Sequence, residues 1–500
     1  MTTSFEEVRS WAIDEAADWA LEADGRERLA SADPVARWAL RVEAFEALLP
    51  IGLAAAGVAG DLGSAGLGGA TKRRGWDRAV RMAGLRVLGL GGRTPRAPRA
   101  EVAFLSELAT PSTIEPMLAV AAATRRGAAQ PIAADPRAFR AWAAAGASPL
   151  AATLPWRDER RILRASRSAA AAAWTSIRER PPAISLGETD LSRAAMPRLE
   201  RIVRRSAPWL AVERAALRRR LEALQPRWLV LASDQHRLGR VAVDVARDLG
   251  IRTIVLQHGL PQFELGFVPV VADMVATWSE ASDEWFVDHG TPPDRLLRLG
   301  NPRLDALARI DRDAASRDVA ARHRLDGGPR LLLALSPSDL ERNLALVDMA
   351  LAVLERRPAA ALIVKLHPGD GRWQEVRRRV AAGSTGTRTR VARREPLYPL
   401  LAWADIVLLH RSTVAIEALA TGTPVVVSSV GAASPEDALP PDLDLPHVAD
   451  AAELTGHVEA LADEGGRLRF AAARRGAVER ICGPLDGRVA ERIATYLGTD

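Results

Sequence analysis

Residues 361–368, ALIVKLHP, and residues 405–413, DIVLLHRST, each run from a short apolar stretch into a polar turn. Apolar runs of this length, bounded by turn residues, are typical of buried strands in a parallel sheet. The residues after the second turn, 414–420, have a helical composition, so the segment predicts strand–turn–helix units. Because ligands bind beyond the carboxyl ends of such strands, we expect both turns to face one crevice.

The polar side chains of these turns suit a phosphate. Lys365 and His367 lie in the first turn, and Arg411, Ser412 and Thr413 lie in the second. Ser412 and Thr413 would open a helix, where free backbone N–H groups and the positive end of the dipole favour an anion. The sequence therefore predicts a site for a nucleotide monophosphate or diphosphate.

Length and composition indicate a multidomain globular protein. Five hundred residues exceed what one core usually organises, so two or three domains are expected. The composition, 48% hydrophobic and 26% charged, is ordinary for a globular chain, and the one cysteine excludes an internal disulfide framework. The acidic residues 1–22 do not resemble a secretion signal. We expect a cytoplasmic protein, and a peripheral position at the inner face of the cell membrane is a further hypothesis.

The excess of basic over acidic residues is small for a chain of this length. The formal net charge is +6, and arginine is interleaved with aspartate and glutamate throughout, so a salt-bridged surface is favoured over a nucleic-acid partner. Two stretches, residues 157–167 and 193–220, are locally basic with helical spacing. We hypothesise that these stretches face an anionic membrane or a phosphorylated lipid acceptor.

The chain divides into three parts by its pattern. Residues 1–98 read as an N-terminal helical extension that ends in a linker rich in glycine, arginine and proline. From residue 99, strand and helix patterns alternate as in parallel βαβ units. We predict an α/β protein with two Rossmann-like doubly wound domains, residues 99–304 and 305–500, and a helical insertion at about 147–225 in the first. The final helix, residues 488–497, is amphipathic and is expected to pack back across the domain junction.

Four motifs in the order found here resemble those of the GT-B glycosyltransferases, and within them the bacterial enzymes of capsule, teichoic-acid and other surface polysaccharide synthesis. The resemblance extends from about residue 102 to the C-terminus. The motifs are Gln257-His258-Gly259, Gly300-Asn301-Pro302-Arg303 with Asp305, Lys365-Leu366-His367-Pro368, and Ser412-Thr413 followed by Glu417 and Thr421-Gly422-Thr423-Pro424.

The resemblance implies a cleft between two domains, with the activated donor mostly on the C-terminal domain and the acceptor on the N-terminal domain. It implies that His367 and Pro368 contact a donor nucleotide of the CMP, CDP or UDP type, and that Ser412 and Thr413 bind its phosphates. No cofactor is expected besides this nucleotide-activated sugar. The glycerophosphate polymerases of teichoic-acid synthesis have an Asp-Tyr-Ser-Ser turn where this chain has His-Arg-Ser-Thr. This difference argues against a glycerol-phosphate donor.

Glycosyl transfer needs a base for the acceptor hydroxyl and a group that stabilises the leaving phosphate. His258 is the first candidate base, because imidazole titrates near neutral pH and Gly259 would let substrate approach. The His-Gly turn is similar to that of the glycerophosphate polymerases, whose histidine is a proposed base. His258 has a second interpretation, a hydrogen bond to the loop backbone. Asp234 is the other candidate base, or else the N-cap of the helix after His236.

On the donor side, Lys365 and Arg411 are expected to neutralise leaving-group charge without a metal, since no Asp-x-Asp motif follows a strand. Glu417 would accept hydrogen bonds from ribose hydroxyls, or else form a salt bridge or a capping contact. Asn301 and Arg303 either line the cleft or fix the hinge turn. The residues assigned to the cleft are Gly259, Asn301, Arg303 and Ser336.

The predicted function is transfer of a sugar, a glycosyl phosphate or a polyol phosphate from a nucleotide-activated donor to a surface polysaccharide or lipid-linked acceptor. One alternative is a sugar-nucleotide epimerase of the UDP-N-acetylglucosamine 2-epimerase type. Such epimerases typically carry an Asp-Ser-Gly-Gly turn in place of residues 410–413. The other alternative is a non-catalytic binding subunit that keeps the fold.

Overall fold

The computed structural model describes residues 7–12, 41–56, 99–107, 110–179, 181, 183–261, 264, 266–336, 340–367, 372–383, 385–410, 412–430 and 439–498. Most of the predicted N-terminal extension, residues 1–98, lies outside these residues, as do Pro368 and Arg411. None of the helices in the described part of the chain combines the length and the apolar composition that a membrane span needs.

Two parallel sheets organise the described chain. The first sheet has the strand order β3-β2-β1-β6-β7-β8-β9, and the second has the order β12-β11-β10-β13-β14-β15, while β4 and β5 form a short antiparallel hairpin. The strands are β1 (Val102–Ser106), β2 (Ala129–Ala133), β3 (Ser148–Pro149), β4 (Ser185–Leu186), β5 (Thr189–Asp190), β6 (Trp228–Leu231), β7 (Arg252–Leu256), β8 (Met274–Thr277), β9 (Leu296–Arg298), β10 (Arg330–Ala334), β11 (Ala361–Lys365), β12 (Thr389–Ala392), β13 (Ile406–Leu409), β14 (Val425–Ser428) and β15 (His447–Val448).

Helices cover both faces of the sheets, which is why β11 and β13 are buried at every position and read as continuous apolar runs. The α-helices are Arg41–Ala56, Pro111–Ala123, Pro136–Trp142, Trp156–Glu179, Ser192–Arg201, Ala207–Leu224, Arg237–Asp248, Glu280–Asp288, Asp305–Ala308, Arg312–His323, Leu340–Arg356, Trp373–Ala382, Leu397–Trp403, Val414–Ala420, Ala451–Ala460, Glu464–Cys482 and Val489–Tyr496.

Both sheets reverse their strand order at one point. In the first sheet the reversal lies between β1 and β6, and in the second it lies between β10 and β13. A doubly wound sheet opens its ligand crevice at this topological switch point, beyond the carboxyl ends of the strands. The predicted α/β architecture of two Rossmann-like doubly wound domains is confirmed.

The helices of residues 150–224 pack into one core with the first sheet and with helix Arg41–Ala56. β3, at the start of the segment predicted as an insertion, pairs with β2 and therefore belongs to the sheet. The Arg198 guanidinium donates a hydrogen bond of 2.6 Å to the Ala47 carbonyl, which ties the N-terminal helix to the insertion. Helix Arg41–Ala56, within the predicted extension, thus packs with the first domain.

The last helix, Val489–Tyr496, returns to the first sheet, as the sequence predicted. Its apolar face, which includes Ile493, packs in the core that contains β1 and β6. Both carboxylate oxygens of buried Asp305 accept hydrogen bonds from its first turn, from Val489 N at 3.0 Å and Ala490 N at 2.8 Å. Gly300 (φ +109°) permits the close approach, because a Cβ there would lie 2.8 Å from a Val489 methyl group.

Replacing Asp305 by Ala should lower the free energy of unfolding by about 2 kcal/mol, because two buried backbone donors lose their acceptor. Asp311→Ala is the matched control, since Asp311 caps Ala314 N of an exposed helix start, and it should cost about 1 kcal/mol or less. Thermal unfolding followed by circular dichroism compares the two variants. Equal losses of unfolding free energy in the two variants would contradict the role of Asp305 as the acceptor for two buried backbone N–H groups.

Candidate functional site

The two turns that open the second crevice leave the sheet at one level. In β10, Ala334 is in register with Lys365 of β11 and with Leu409 of β13. The segments that follow these strands carry Ser336, His367 and residues 410–413. The sheet therefore delivers these polar groups to one edge, at the switch point of the second domain.

Hydroxyl and amide groups form the turn after β13. Ser412 Oγ accepts a hydrogen bond from Val414 N at 3.2 Å, and Thr413 is exposed. The helix that follows, Val414–Ala420, is seven residues long. A helix of two turns has a small dipole, so any attraction for an anion comes mainly from its free N–H groups and the hydroxyls.

His410 is buried at the base of this turn, and both its ring nitrogens face carbonyl oxygens. Nδ1 lies 3.2 Å from the Ser428 carbonyl oxygen, and Nε2 lies 3.2 Å from that of Arg342. A neutral imidazole can donate only one hydrogen bond, whereas an imidazolium donates two. Either neutral tautomer can donate to one of these carbonyl oxygens, which holds the ring at the base of the turn.

Lys365 supports the first turn from inside. Its ammonium group, only 8% exposed, donates to the carbonyl oxygens of Leu366 at 3.0 Å and Arg393 at 3.1 Å. Burial lowers the pKa of this group. The geometry differs from the predicted phosphate contact, because these backbone bonds tie the turn to the end of β12. His367, two residues further on, is exposed.

Glu417 forms the salt bridge that the sequence left open. Its carboxylate is 4% exposed and lies 2.8 Å from Arg303 Nη1, with the Tyr398 hydroxyl at 3.5 Å. Arg303 Nε also lies 3.2 Å from the Glu115 carboxylate of helix Pro111–Ala123. Burial raises the pKa of the Glu417 carboxyl, and Arg303 opposes that rise. One guanidinium thus connects the two domains.

The other predicted cleft residues take distinct positions. Asn301 is buried, and its side-chain oxygen accepts from Arg303 N at 3.1 Å, so it fixes the hinge turn. Ser336 is partly buried, and its carbonyl accepts from the Asn343 amide at 2.7 Å. Gly259 follows β7, and a Cβ there would contact only the Phe267 ring at 3.8 Å, so the backbone is open to a ligand.

His258 lies at the carboxyl end of β7 and stacks on Phe267, with ring centroids 4.8 Å apart and planes at 4°. Its Nδ1 is inaccessible to solvent and has no hydrogen-bond partner among the residues that the structure describes. Burial and the neighbouring His236, 6.2 Å away between ring centroids, lower its pKa to about 3. The expected titration near neutral pH is therefore wrong: the ring is neutral there, in the form that accepts a proton but only as a weak base.

Asp234 is 2% exposed, and its carboxylate serves the protein interior. One oxygen accepts from Val271 N at 2.6 Å and Ala272 N at 2.9 Å, and the other accepts from the Gln235 amide at 3.0 Å. Neither predicted role, base or N-cap, describes these contacts. The carboxylate instead fixes the loop before β8, which it can do because β6 and β8 flank β7.

The sequence analysis missed Glu107, which directly follows β1 at the switch point of the first sheet. Both its carboxylate oxygens lie 3.1 Å from Leu238 N, at the start of helix Arg237–Asp248. Glu107, Ser233 and His236 line a small pocket there. The sequence signal that could have identified Glu107 was its position, because it is a charged residue at the end of the first strand of a βαβ unit.

No three His, Cys, Asp or Glu side chains among the described residues lie close enough together to hold a metal ion. The acidic pair Asp442 and Asp444 binds arginines instead: Asp442 pairs with Arg480 at 2.6 Å and Asp444 with Arg474 at 3.4 Å.

The fold places the chain among proteins of known structure. It is similar to UDP-GlcNAc 2-epimerase from Neisseria meningitidis, solved with UDP-GlcNAc, at 13% identity and a TM-score of 0.52, covering 80% of this chain and 100% of that one. It is also similar to HepE from Anabaena, solved with UDP and glucose, at 13% identity and a TM-score of 0.50, with the same coverage. No family model and no curated protein matches the sequence. The chain has the GT-B type of fold, two Rossmann-like domains.

The low pKa of His258 predicts a pH dependence of stability. Between about pH 6.5 and pH 3 the unfolded chain binds a proton on this ring that the folded chain does not, so stability falls as the pH falls. From about pH 7 to pH 5, the wild type should lose about 2 kcal/mol more than His258→Asn. Unfolding at the two pH values measures the difference. The exposed His447→Asn variant should behave as wild type, and equal losses in His258→Asn and wild type would contradict the buried neutral ring.

Proposed function

We propose that the protein is a glycosyltransferase that moves a sugar, a glycosyl phosphate or a polyol phosphate from a nucleotide-activated donor to a surface polysaccharide or lipid-linked acceptor. The observation that carries the proposal is the common level of β10, β11 and β13, which gathers Ser336, His367, Ser412 and Thr413 at one switch point. The similar structures support it at the level of fold, because they were solved with UDP-GlcNAc or with UDP and glucose.

On the donor side, His367 and Pro368 contact the nucleotide, and Ser412 and Thr413 hold its phosphates together with Arg411. Hydroxyl, N–H and guanidinium donors stabilise the negative charge that grows as the nucleotide leaves. The imidazole of His410 and the ammonium of Lys365 support the two turns through backbone carbonyl oxygens. Because these donors meet the need, we propose a metal-independent reaction.

Glu417 has a double role in this proposal. Its carboxylate accepts hydrogen bonds from the ribose hydroxyls and remains beside Arg303, whose positive charge opposes the rise in pKa that burial causes. Through its ion pair with Glu115, Arg303 then links the donor site to the acceptor domain.

On the acceptor side, His258 is the proposed base. As the acceptor oxygen bonds to the transferred carbon or phosphorus, the hydroxyl proton passes to the neutral imidazole and the bond to the nucleotide breaks. Gly259, the next residue, leaves room for the acceptor. The low pKa requires that the ring gains basicity when the acceptor complex forms.

An epimerase is the second candidate. Its support is the similarity in fold to the Neisseria epimerase, which extends over the whole of that chain. Residues 410–413, His-Arg-Ser-Thr, favour transfer, because this sequence differs from the Asp-Ser-Gly-Gly turn associated with such epimerases. A transferase needs an acceptor, whereas an epimerase does not.

The donor site predicts a nucleotide-dependent rise in melting temperature, because a ligand that binds only the folded state stabilises it. In a screen of CMP, CDP, UDP, GDP and their sugar conjugates, one base should raise the melting temperature, and His367→Ala should abolish the effect. His258→Ala should keep the nucleotide shift and lose most turnover. His447→Ala, an exposed histidine elsewhere in the second domain, is the control. No shift with any nucleotide, or equal loss in both variants, would count against these roles.

Incubation with the stabilising sugar nucleotide, with no acceptor present, separates the two candidates. We expect the sugar nucleotide to be recovered without change at its stereocentres when its products are followed by NMR. Conversion to an epimer under these conditions would show that the protein is an epimerase and not a transferase.

A further inference from the structure

Helix Trp156–Glu179 has one buried face and one strongly basic face. Its buried residues, Ala170, Ala173, Trp174 and Ile177, pack in the core of the first domain. The exposed arginines of its first half lie beside this buried stripe, within an arc of about 120° at 100° per residue. These arginines are Arg157, Arg160, Arg161, Arg164 and Arg167.

Most of the positive charge of this arginine face is not neutralised by a carboxylate in the part of the chain that the structure describes. Arg161 pairs with Asp158 at 3.0 Å, but Arg157, Arg164 and Arg167 form no ion pair with any described residue. Arginines elsewhere, such as Arg330 on Asp405, pair closely with carboxylates. Unpaired positive charge that is held on a rigid surface attracts a polyanion.

The second basic stretch, residues 193–220, does not offer such a face. Arg198 donates to the Ala47 carbonyl, and Arg218 pairs with Asp248 at 3.0 Å. Arg220 is 9% exposed. The exposed arginines of this stretch that lack an ion pair with any described residue are distributed over two helices and the segment between them, so they do not form a stripe on one helix; they are Arg193, Arg201, Arg205 and Arg219.

The same helix begins with Trp156, one of the most exposed large apolar side chains of the described chain, at 55%. The guanidinium of Arg160 lies 4.1 Å from the centre of its ring. Tryptophan beside arginine is suited to the headgroup region of a bilayer, where the ring meets the apolar boundary and the cation meets phosphate. Further along the exposed side, Ser168, Ala171 and Thr175 are small, so the helix surface is flat enough to lie on such a layer.

We propose that the arginine face of helix Trp156–Glu179, with Trp156 at its end, docks on a bilayer surface rich in anionic phospholipid. The inference rests on the proposed function in one respect, because a lipid-linked or envelope acceptor lies at that surface. The docked helix runs parallel to the membrane along its length of about 36 Å. Since it belongs to the first domain, docking presents the acceptor side of the molecule to the lipid.

The test is sedimentation of the full chain with vesicles of phosphatidylcholine alone or mixed with phosphatidylglycerol. The wild type should bind only the anionic vesicles, and raised salt should release it. The variant R157Q/R164Q/R167Q should bind about tenfold more weakly or worse, and Trp156→Ala should also weaken binding. The control R317Q/R377Q/R469Q removes the same charge from exposed positions in the second domain and should bind as wild type. Circular dichroism verifies that each variant is folded.

Equal weakening by the two triple variants would overturn the proposal, because net charge alone would then explain binding. Absence of wild-type binding to anionic vesicles would overturn it as well. So would tight binding of an oligonucleotide through the same arginines with no vesicle binding. The nucleotide melting screen keeps the two ideas separate: a nucleotide shift without vesicle binding removes only the docking surface, and vesicle binding without any nucleotide shift removes only the transferase assignment.

Discussion

The register of three buried strands decides where the polar turns of the candidate site meet. Ala334 lies opposite both Lys365 and Leu409, so the turns after β10, β11 and β13 begin at one height above the sheet. A shift of one residue in any strand would exchange the side chains that pack on its two buried faces and move its turn away from the others. The packing of helices on both faces enforces the register, and the site follows from it.

The short segment of residues 301–305 provides the connection between the two domains. Asn301 holds the turn, Arg303 contacts Glu417 on one side and Glu115 on the other, and Asp305 caps the last helix. These three roles fall within five consecutive residues of the sequence. The Gly-Asn-Pro-Arg motif is therefore explained by geometry at the junction as much as by any ligand.

Apolar runs and turn residues were sufficient to predict both sheets, because strands buried on two faces leave a strong pattern in the sequence. The two-residue strands β3 and β15 carry no pattern of their own and depend on their neighbours. The site was less predictable. Partners distant in sequence determine that Lys365 binds the Arg393 carbonyl, that Asp234 binds the loop at Val271, and that Phe267 covers His258. No local spacing encodes those contacts, and the positions of Arg411 and Pro368 stay predictions.

The return of the last helix to the first sheet has a consequence for biosynthesis. The core around β1 and β6 includes Val489 and Ile493, which leave the ribosome after the whole second domain. The first domain therefore cannot complete its core as soon as its own strands are made, and part of its apolar surface stays open during that interval. The chain is thereby committed to folding its two halves as one unit rather than in succession.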